Sequence, residues 1–226
     1  MTELYKRLKA KGCSFNHVCE VGVYLPETSN IADFIKDGVR ATLVEADITL
    51  VPKIKDYFKE GKITVYPVAI WDYNGKLKLS KAAASTFVSD LHSSPALTND
   101  NYQKTDDSSF EVECRVFSDL DDGTIDLLSV DIEGSEWYVL KNLKSRPNVI
   151  SVETHGKSYI NPFLDEIRVW MDQNTYVIWY KDGSDSVYIK GNLFPFTLSE
   201  KLLLGYRNLW LNFRRNKSNF KKAVFN

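Results

Sequence analysis

The fold is decided by the apolar run Ile125-Asp126-Leu127-Leu128-Ser129-Val130-Asp131-Ile132-Glu133-Gly134-Ser135-Glu136, which ends in acidic residues and then changes to a helical pattern. A near-continuous apolar run is typical of a strand that is buried on both faces of a parallel sheet. In open α/β sheets, ligands bind beyond the carboxyl ends of the strands. The run therefore places Asp131 where ligand binding and chemistry are expected.

Strands and helices alternate on both sides of this run. Strand patterns cover residues 17–22, 41–45, 63–71 and 149–153, and helical spacing covers residues 30–36, 50–59, 135–143 and 160–171. This alternation predicts an α/β fold whose doubly wound, mostly parallel sheet carries helices on both faces. Two alternating segments, 176–180 and 186–189, flank Asp182-Gly183 and predict an antiparallel hairpin at the sheet edge.

Two segments between these elements are less regular. The third strand runs through Asn74-Gly75, a tight-turn signal, into the alternating residues 76–79, which predicts a small hairpin that extends the strand. Residues 81–109 are rich in Ser, Asp, Asn and Ala and lack periodicity. This composition predicts a long loop, either a lid over a site or a disordered segment, before regularity returns at residues 110–117.

The composition fits one globular domain with an appendage. The chain has 226 residues, of which 43% are hydrophobic and 26% charged. We expect a domain over residues 1–191 and an amphipathic, basic, helical appendage over residues 192–226. A net charge of -1 and a pI of about 6.3 give no global basic field, so no nucleic-acid partner is expected.

The cysteines and the hydropathy pattern bear on location. Cys13, Cys19 and Cys114 form an odd set without a metal-type Cys-x-x-Cys pair, which indicates reduced thiols. The first twelve residues are charged and amphipathic, unlike a signal peptide, and no apolar run approaches the ~20 residues that cross a bilayer. We therefore expect a cytoplasmic protein.

Acidic residues end the first two strands. Glu20 and Gly22 close the first, and Glu45 follows Gly22 by 23 positions, the separation at which an acid commonly grips ribose hydroxyls. Either acid alone is more often a solvated strand end. Because they stand in register at consecutive strand ends, they favour a nucleoside-containing cofactor, with Tyr24 and Ala46 among its contacts.

Motifs that the sequence lacks restrict the choice of cofactor. Tyr24 and Pro26 stand where a dinucleotide-binding fingerprint needs further glycines, and no phosphate-binding P-loop motif occurs. A ribose-binding acid without phosphate machinery suits S-adenosylmethionine, whose sulfonium and amino groups are cationic. Ala69 and Trp71, at the end of the third strand, either flank the adenine or belong to the core.

The fifth predicted strand ends in Glu153-Thr154-His155, beside the strand that ends at Asp131. Histidine can take a proton near pH 7, so we expect His155, assisted by Asp131 or Glu133, to deprotonate or orient an acceptor hydroxyl. A structural role for this histidine is equally compatible with the pattern. In a less favoured alternative, Asp131, Glu133, Glu153 and His155 ligate a hard divalent ion.

At these residues the chain resembles the FkbM family of S-adenosylmethionine-dependent methyltransferases, over roughly residues 17–155. Residues 125–136 resemble the family's I-D-L-L-K-I-D-V-E-G-A-E signature, and residues 153–155 resemble its E-x-H element. The first motif departs from the family's D-x-G-A-N-x-G, with Pro26 at the second glycine. The resemblance implies a Rossmann-like class I methyltransferase fold with a seven-stranded sheet. It also implies O-methylation, often of sugar hydroxyls in glycans or secondary metabolites.

Two other functions stay open from the residues alone. A nicotinamide-dependent oxidoreductase can be built on a similar sheet with a similar ribose-binding acid. A degenerate, non-catalytic Rossmann-like binding module is the second, and the altered motif at Pro26 favours it.

The appendage carries a thick apolar face followed by basic residues. The apolar positions are Leu198, Leu202, Leu203, Tyr206, Leu209, Trp210 and Phe213, and the basic ones are Arg214, Arg215, Lys217, Lys221 and Lys222. Such a stripe more often packs on its own domain or on a sister subunit of a homo-oligomer. The alternative is peripheral contact with an anionic membrane surface.

Overall fold

The structure is a computed structural model that describes residues 1–82, 85–91, 93–99, 109–156 and 159–225. The helices are α1 (Glu3–Ala10), α2 (Ala32–Lys36), α3 (Val51–Tyr57), α4 (Pro95–Asn99), α5 (Trp137–Leu140), α6 (Leu164–Gln173) and α7 (Leu198–Phe225). The strands are β1 (His17–Val21), β2 (Arg40–Val44), β3 (Ile63–Tyr66), β4 (Ala69–Ile70), β5 (Gly75–Ala82), β6 (Ser85–Val88), β7 (Ser109–Arg115), β8 (Leu127–Val130), β9 (Val149–Glu153), β10 (Tyr176–Asp182) and β11 (Asp185–Lys190).

The larger sheet has seven strands in the order β10-β11-β9-β8-β1-β2-β3. The pairs among β3, β2, β1, β8 and β9 are parallel, whereas β11 pairs antiparallel with both β9 and β10. The predicted α/β class and the edge hairpin are therefore confirmed. Because β1 lies between β2 and β8, the residues that follow these three strands meet at one edge of the sheet.

Successive residues of the central strands face two separate cores. On one side, Val18 and Leu127 pack with apolar residues of α1, α2 and α3. On the other side, Cys19 and Leu128 pack with apolar residues of α5 and α6. Since a strand turns alternate side chains to opposite faces, a run that is apolar at every position is required to cover both.

The smaller sheet was not predicted. Its strand order is β4-β7-β5-β6, and it is inserted between β3 and β8. The predicted third strand, residues 63–71, is in fact two strands in different sheets, broken at Pro67, which has no N–H for a ladder hydrogen bond. The predicted hairpin is also wrong, because β5 pairs antiparallel with β7 and β6 and not with β3.

The predicted long loop over residues 81–109 is likewise wrong where the structure describes it, since β6 and α4 lie in this segment. Apolar side chains of β5 and β7, such as Leu77 and Val112, form a third small core. Residues 83–84, 92 and 100–108 of the predicted lid lie outside the described residues. A salt bridge of 2.6 Å from Lys81 to the buried Asp47 ties the small sheet to the loop after β2.

All three cysteines are free thiols, and Cys19 and Cys114 are buried. In the described part of the chain, no helix has both the length and the apolar character needed to cross a membrane. The predicted boundary at residues 191 and 192 stays a prediction.

The helix α7 is fixed to the domain near its start. Thr197 and Glu200 form a reciprocal capping box, in which the Thr197 N–H donates to Glu200 Oε2 at 2.7 Å. The same carboxylate accepts hydrogen bonds from Lys11 Nζ and from Trp179 Nε1, each at 2.9 Å. One acidic side chain thus joins α7 to both α1 and β10.

Replacing Glu200 with glutamine should lower the free energy of unfolding at pH 7 by roughly 2 kcal/mol, since hydrogen bonds to a charged group are lost. Burial raises the pKa of Glu200, but the hydrogen bonds from Thr197, Lys11 and Trp179 outweigh this and bring the pKa down to about 2. A lowered carboxyl pKa stabilises the fold above the unfolded value, and the gain is lost as the pH falls through the folded one.

The difference between the wild-type chain and Glu200→Gln should therefore shrink below pH ~4.5. Thermal unfolding followed by circular dichroism measures it, with the exposed Glu60→Gln as the control. A Glu200→Gln variant as stable as Glu60→Gln at pH 7 would show that the capping box does not hold α7 in place.

Candidate active site

The turn after β1 is pressed against the end of β8. Gly22 has φ +87°, and its N–H donates to the Val44 carbonyl at 2.9 Å. A Cβ atom at Gly22 would lie 1.8 Å from the carbonyl oxygen of Asp131. Only glycine fits here, because both the backbone conformation and the contact exclude a side chain.

Glu20 closes the loop that begins at this turn. Its buried carboxylate accepts hydrogen bonds from Ser29 Oγ at 2.5 Å and from the Asn30 N–H at 2.8 Å. Burial raises the pKa of Glu20 to about 7, although the two hydrogen bonds act in the opposite direction. The carboxylate therefore fixes both ends of the loop between residues 20 and 30.

The loop keeps its shape without the second glycine of the family motif. Pro26 begins a short 3-10 turn over Pro26–Thr28, and Tyr24 takes up a positive φ of 50°. At the end of the loop, the Asn30 side-chain amide donates to Ser129 Oγ at 3.1 Å and to Asp185 Oδ2 at 3.3 Å. Asn30 thus links the loop to strands on the far side of β1.

Glu45 follows β2 and is almost fully buried at the same edge. Its Oε2 accepts the Tyr24 N–H at 2.7 Å, and its Oε1 accepts the Asp47 N–H at 2.8 Å. The Val23 N–H also hydrogen-bonds this carboxylate. Burial raises the pKa of this carboxyl group, while the backbone hydrogen bonds from Asp47 and Tyr24 lower it.

These elements surround one cavity. Eight of the residues predicted from the sequence line it, namely Glu20, Gly22, Tyr24, Glu45, Ala46, Ala69, Asp131 and Glu133. The opposite wall is supplied by the inserted sheet, through Leu79, Thr86, Phe87 and Val88. No sequence pattern indicated this wall, since its residues lie in and beside the segment expected to be a loop.

Trp71 lies outside the lining of the cavity. Its ring is tilted by 30° against that of Tyr138, with the ring centroids 3.9 Å apart. Trp71 also packs against the small core of the inserted sheet. Of the two roles that the sequence left open for Trp71, the structure favours the core.

The signature stretch after β8 forms a tight acidic loop. Glu133 adopts a positive φ of 57°, unusual for a residue with a side chain. Glu136 holds the loop together, because its Oε1 accepts the N–H groups of Ile132 at 3.0 Å and Gly134 at 3.1 Å, and its Oε2 accepts the Asn161 amide. Sequence reasoning missed Glu136, although it is the last residue of the signature.

Further carboxyl groups surround this loop. Burial, together with Asp185 and Glu133, raises the pKa of Asp131 well above its usual range. Burial together with Asp131 and Glu136 does the same to the pKa of Glu153. Asp185 has a pKa raised to about 6 by burial, and nothing in its edge-hairpin sequence marked it for the site. The site is therefore strongly acidic.

His155 is buried and is not among the cavity-lining residues. Its Nδ1 is 3.0 Å from the hydroxyl of Thr154, which in turn lies 2.6 Å from the hydroxyl of Ser186. The structure therefore groups Glu20, Glu45 and Asp131 around the cavity, and His155 is not part of its lining. The catalytic role expected for His155 stays a prediction.

Replacing Gly22 with alanine should destabilise the chain by roughly 3 kcal/mol more than the same change at Gly123, because overpacking adds to a shared backbone cost. The two glycines have nearly equal φ, +87° and +84°, but a Cβ at Gly123 meets no atom within 4 Å. Urea unfolding of both variants measures the difference. Equal losses would mean that Gly22 is needed for its conformation alone and not for its contact with Asp131.

Three methyltransferases of known structure are similar to this chain at low identity. The methyltransferase domain of bacterial CtHen1 is 13% identical, with a TM-score of 0.44 over 82% of this chain and 94% of that chain. A TehB-like SAM-dependent methyltransferase from Corynebacterium glutamicum is 11% identical, with a TM-score of 0.40 over 83% and 87%. A precorrin-6y C5,15-methyltransferase from Geobacter metallireducens is 14% identical, with a TM-score of 0.39 over 82% and 84%. No curated protein matches the chain.

The family comparison covers most of the domain. The sequence model of the methyltransferase FkbM domain matches residues 20–178, which is more than half of the chain. The matched range begins at Glu20 and includes the acidic loop and the end of β9. The chain therefore belongs to the FkbM family of S-adenosylmethionine-dependent methyltransferases.

Proposed function

We propose that this chain transfers the methyl group of S-adenosylmethionine to a hydroxyl group of a sugar in a glycan or secondary metabolite. The observation that carries the proposal is the single cavity shared by Glu45, the Gly22 turn and the acidic residues Asp131 and Glu133. The cavity thus combines residues suited to binding a nucleoside, Glu45 and the Gly22 turn, with acidic residues that accept hydrogen bonds.

The residues present fit the cofactor. Glu45 lines the cavity, and carboxylate oxygens are acceptors that suit the hydroxyl donors of a ribose diol. Gly22 lines the cavity, so a ligand there meets its backbone. Ala46, Ala69, Phe87 and Val88 offer an apolar surface of the kind that a flat base packs against.

S-adenosylmethionine supplies a methyl group that is already activated on a positively charged sulfonium. Glu20 and Asp131 line the cavity and, when ionised, give it a negative potential that attracts such a cation. Alignment of the reacting groups then supplies a large share of the rate, up to about 7–11 kcal/mol in well-oriented systems. The chain's main task in this proposal is therefore to bind and orient.

We assign acceptance of the hydroxyl proton to Glu133, with Asp131 beside it. Both side chains line the cavity, whereas His155 does not. An ionised carboxylate only accepts hydrogen bonds. An acidic wall therefore suits a substrate that offers several hydroxyl donors, as sugars do. His155, through Thr154, is left a positioning role at the end of β9.

The same acidic wall argues against a phosphate-rich acceptor. Carboxylates repel phosphate groups, so we propose a small-molecule or glycan substrate and not a nucleic acid. Membership of a methyltransferase family supports methyl transfer over the nicotinamide-dependent alternative. A degenerate module without cofactor binding is the remaining rival, and a binding experiment separates it from the enzyme.

Isothermal titration should show that the purified chain binds S-adenosylhomocysteine and does not bind NAD. Replacing Glu45 with glutamine should weaken this binding about 10- to 100-fold, because hydrogen bonds to a charged acceptor contribute roughly 1.5–3 kcal/mol. The lost hydrogen bonds are to the adenosine part of the ligand. The ratio of dissociation constants between the variant and the wild-type chain should therefore be the same for adenosine alone.

The control is Glu27→Gln, which removes an exposed acid that pairs with Lys53 at 3.0 Å. This variant should bind as the wild-type chain does. Binding of NAD alone would overturn the proposal, and absence of any nucleoside binding by a folded chain would favour the non-catalytic module.

A further inference from the structure

We infer that Asp131, Glu136 and Glu153 form a binding site for one divalent cation at the acidic end of the cavity. One carboxylate oxygen from each of these residues lies within 4.8 Å of the other two. Oxygens that share a Ca²⁺ ion lie about 2.3–2.6 Å from it and those on Mg²⁺ about 2.0–2.1 Å, so they can stand roughly 4–5 Å apart. The three carboxylates thus have the spacing that a hard cation needs.

Glu153 points independently to a missing partner. Only 5% of its surface is exposed, and its Oε2 has no hydrogen-bond donor among the described residues. A buried carboxylate oxygen without a donor or a cation is costly, and native structures rarely keep one. A metal ion shared with Asp131 and Glu136 satisfies this oxygen.

The charges around the site are not balanced by basic side chains. Within the described ranges, no lysine or arginine forms a salt bridge with Asp131, Glu136 or Glu153. Burial, together with repulsion from neighbouring carboxyl groups, raises the pKa values of Asp131 and Glu153, and burial raises that of Glu136 to about 7. A divalent cation removes this repulsion and lets the carboxyl groups stay ionised at neutral pH.

The ligands are held by rigid elements. Asp131 directly follows β8, and Glu153 ends the neighbouring parallel strand β9, with Val130 opposite Val152 in the ladder. The Glu136 carboxylate is oriented by two backbone N–H groups and by Asn161. Such support from a second layer of hydrogen bonds is typical of metal ligands.

This set differs from the one that the sequence suggested. Glu136 takes the place of Glu133 and His155, because the loop turns its carboxylate inward toward β9 while Glu133 faces the cavity. Asp131 belongs to both the cation site and the cavity wall, so a bound cation would lie next to the acceptor. The site goes beyond the proposed methyl transfer, because cation binding can be measured without any acceptor.

The test is titration of the chelator-treated chain with Mn²⁺, followed by calorimetry and by the electron paramagnetic resonance of free Mn²⁺. The wild-type chain should bind one ion, and Ca²⁺ or Mg²⁺ should compete for it. Glu153→Gln should weaken Mn²⁺ binding at least 10-fold. Glu166→Gln, which removes an exposed acid of α6, should bind as the wild-type chain does.

Thermal unfolding keeps the test valid if a variant is altered in stability. In chelator, Glu153→Gln should melt at a higher temperature than the wild-type chain, since the variant no longer buries an acid whose Oε2 has no hydrogen-bond donor. Mn²⁺ should then raise the melting temperature of the wild-type chain only. Absence of Mn²⁺ binding at millimolar concentration, or equal affinity in Glu153→Gln, would overturn the inference, and S-adenosylhomocysteine binding in chelator tests the proposed function separately.

A second observation concerns the outward face of α7. Large apolar side chains that are 65–73% exposed repeat along this face at helical spacing, namely Leu198, Leu202, Tyr206, Leu209 and Phe213. We name them the apolar stripe. The opposite side of the helix is occupied by the domain, through Glu200 and the buried Leu211. The predicted packing of this apolar face on its own domain is therefore not observed for the stripe.

Residues 201–226, which include most of α7, carry basic residues and no acidic ones. Residues 201–226 contain seven basic and no acidic residues, whereas residues 1–200 contain 22 basic and 30 acidic ones. A basic helix with an apolar face is the composition of helices that lie in the interface of anionic lipid membranes. A second copy of the chain would instead bring an equally cationic helix against this one.

We propose that the apolar stripe of α7 lies on an anionic lipid surface. Its apolar side chains would enter the boundary between headgroups and acyl chains, and the basic residues would meet the lipid phosphates and carboxylates. Each basic residue near the surface adds about 1 kcal/mol, an attraction that salt screens. Binding should therefore require both the stripe and negative lipid charge.

Flotation with vesicles tests this. Vesicles of phosphatidylcholine with 30% phosphatidylserine should carry the wild-type chain to the top of a gradient, and pure phosphatidylcholine vesicles should not. The double variant Leu202→Ser with Leu209→Ser should stay at the bottom. The matched control is Tyr57→Ser with Val169→Ser, which changes two exposed apolar residues elsewhere and should float.

Equal recovery of the stripe variant and the control with anionic vesicles would overturn the proposal. So would a chain that ignores lipid but forms a concentration-dependent dimer that the stripe variant abolishes. That result, measured by light scattering after gel filtration, would assign the stripe to a second copy.

Discussion

The contact between the Gly22 turn and the carbonyl of Asp131 is the constraint on which the site depends. Because a Cβ at Gly22 would lie 1.8 Å from that oxygen, the loop after β1 and the end of β8 can approach only with glycine here. The loop that follows is bound to both acids, because Ser29 donates to Glu20 and Tyr24 donates to Glu45. The departure at Pro26 is tolerated because the closing hydrogen bonds come from Glu20 and Asn30, not from a second glycine.

The same close approach concentrates negative charge. Parallel strands deliver their carboxyl ends to one edge, and in this chain the strands β1, β8 and β9 each end at or beside an acid. Glu20, Asp131, Glu136 and Glu153 all have raised pKa values, so the fold bears an electrostatic cost at neutral pH. Such a cost is retained where the charge meets a ligand, and both a sulfonium and a divalent cation meet that requirement.

Sequence patterns predicted the parts of the molecule that obey local rules. The strands 17–22, 41–45 and 149–153, the edge hairpin and eight cavity residues follow from apolar runs with acids at their ends. The inserted sheet could not be predicted, because alternation marks β5 and β7 as strands but does not reveal their partners, and β5 pairs with β7, which lies far along the chain. The sequence pattern placed His155 at the cavity and overlooked Glu136 for a related reason. Position along a strand gives the edge at which a residue lies, but the backbone of the loop after it decides which way the side chain points.

The helix α7 is bound to the domain at its start, whereas its apolar stripe faces away from the domain. Its start is fixed by Glu200, whose pKa is lowered to about 2 by Thr197, Lys11 and Trp179, so this end is bound to the domain at any pH near neutrality. Farther along, contact with the domain is maintained by Leu211, while the apolar stripe faces outward with basic residues after it. Negative charge is concentrated in the domain and its site, and positive charge in the helix α7. The two charges of the chain are therefore well separated. On an anionic surface, the helix would be attracted and the domain repelled, so the surface would orient the chain as well as bind it.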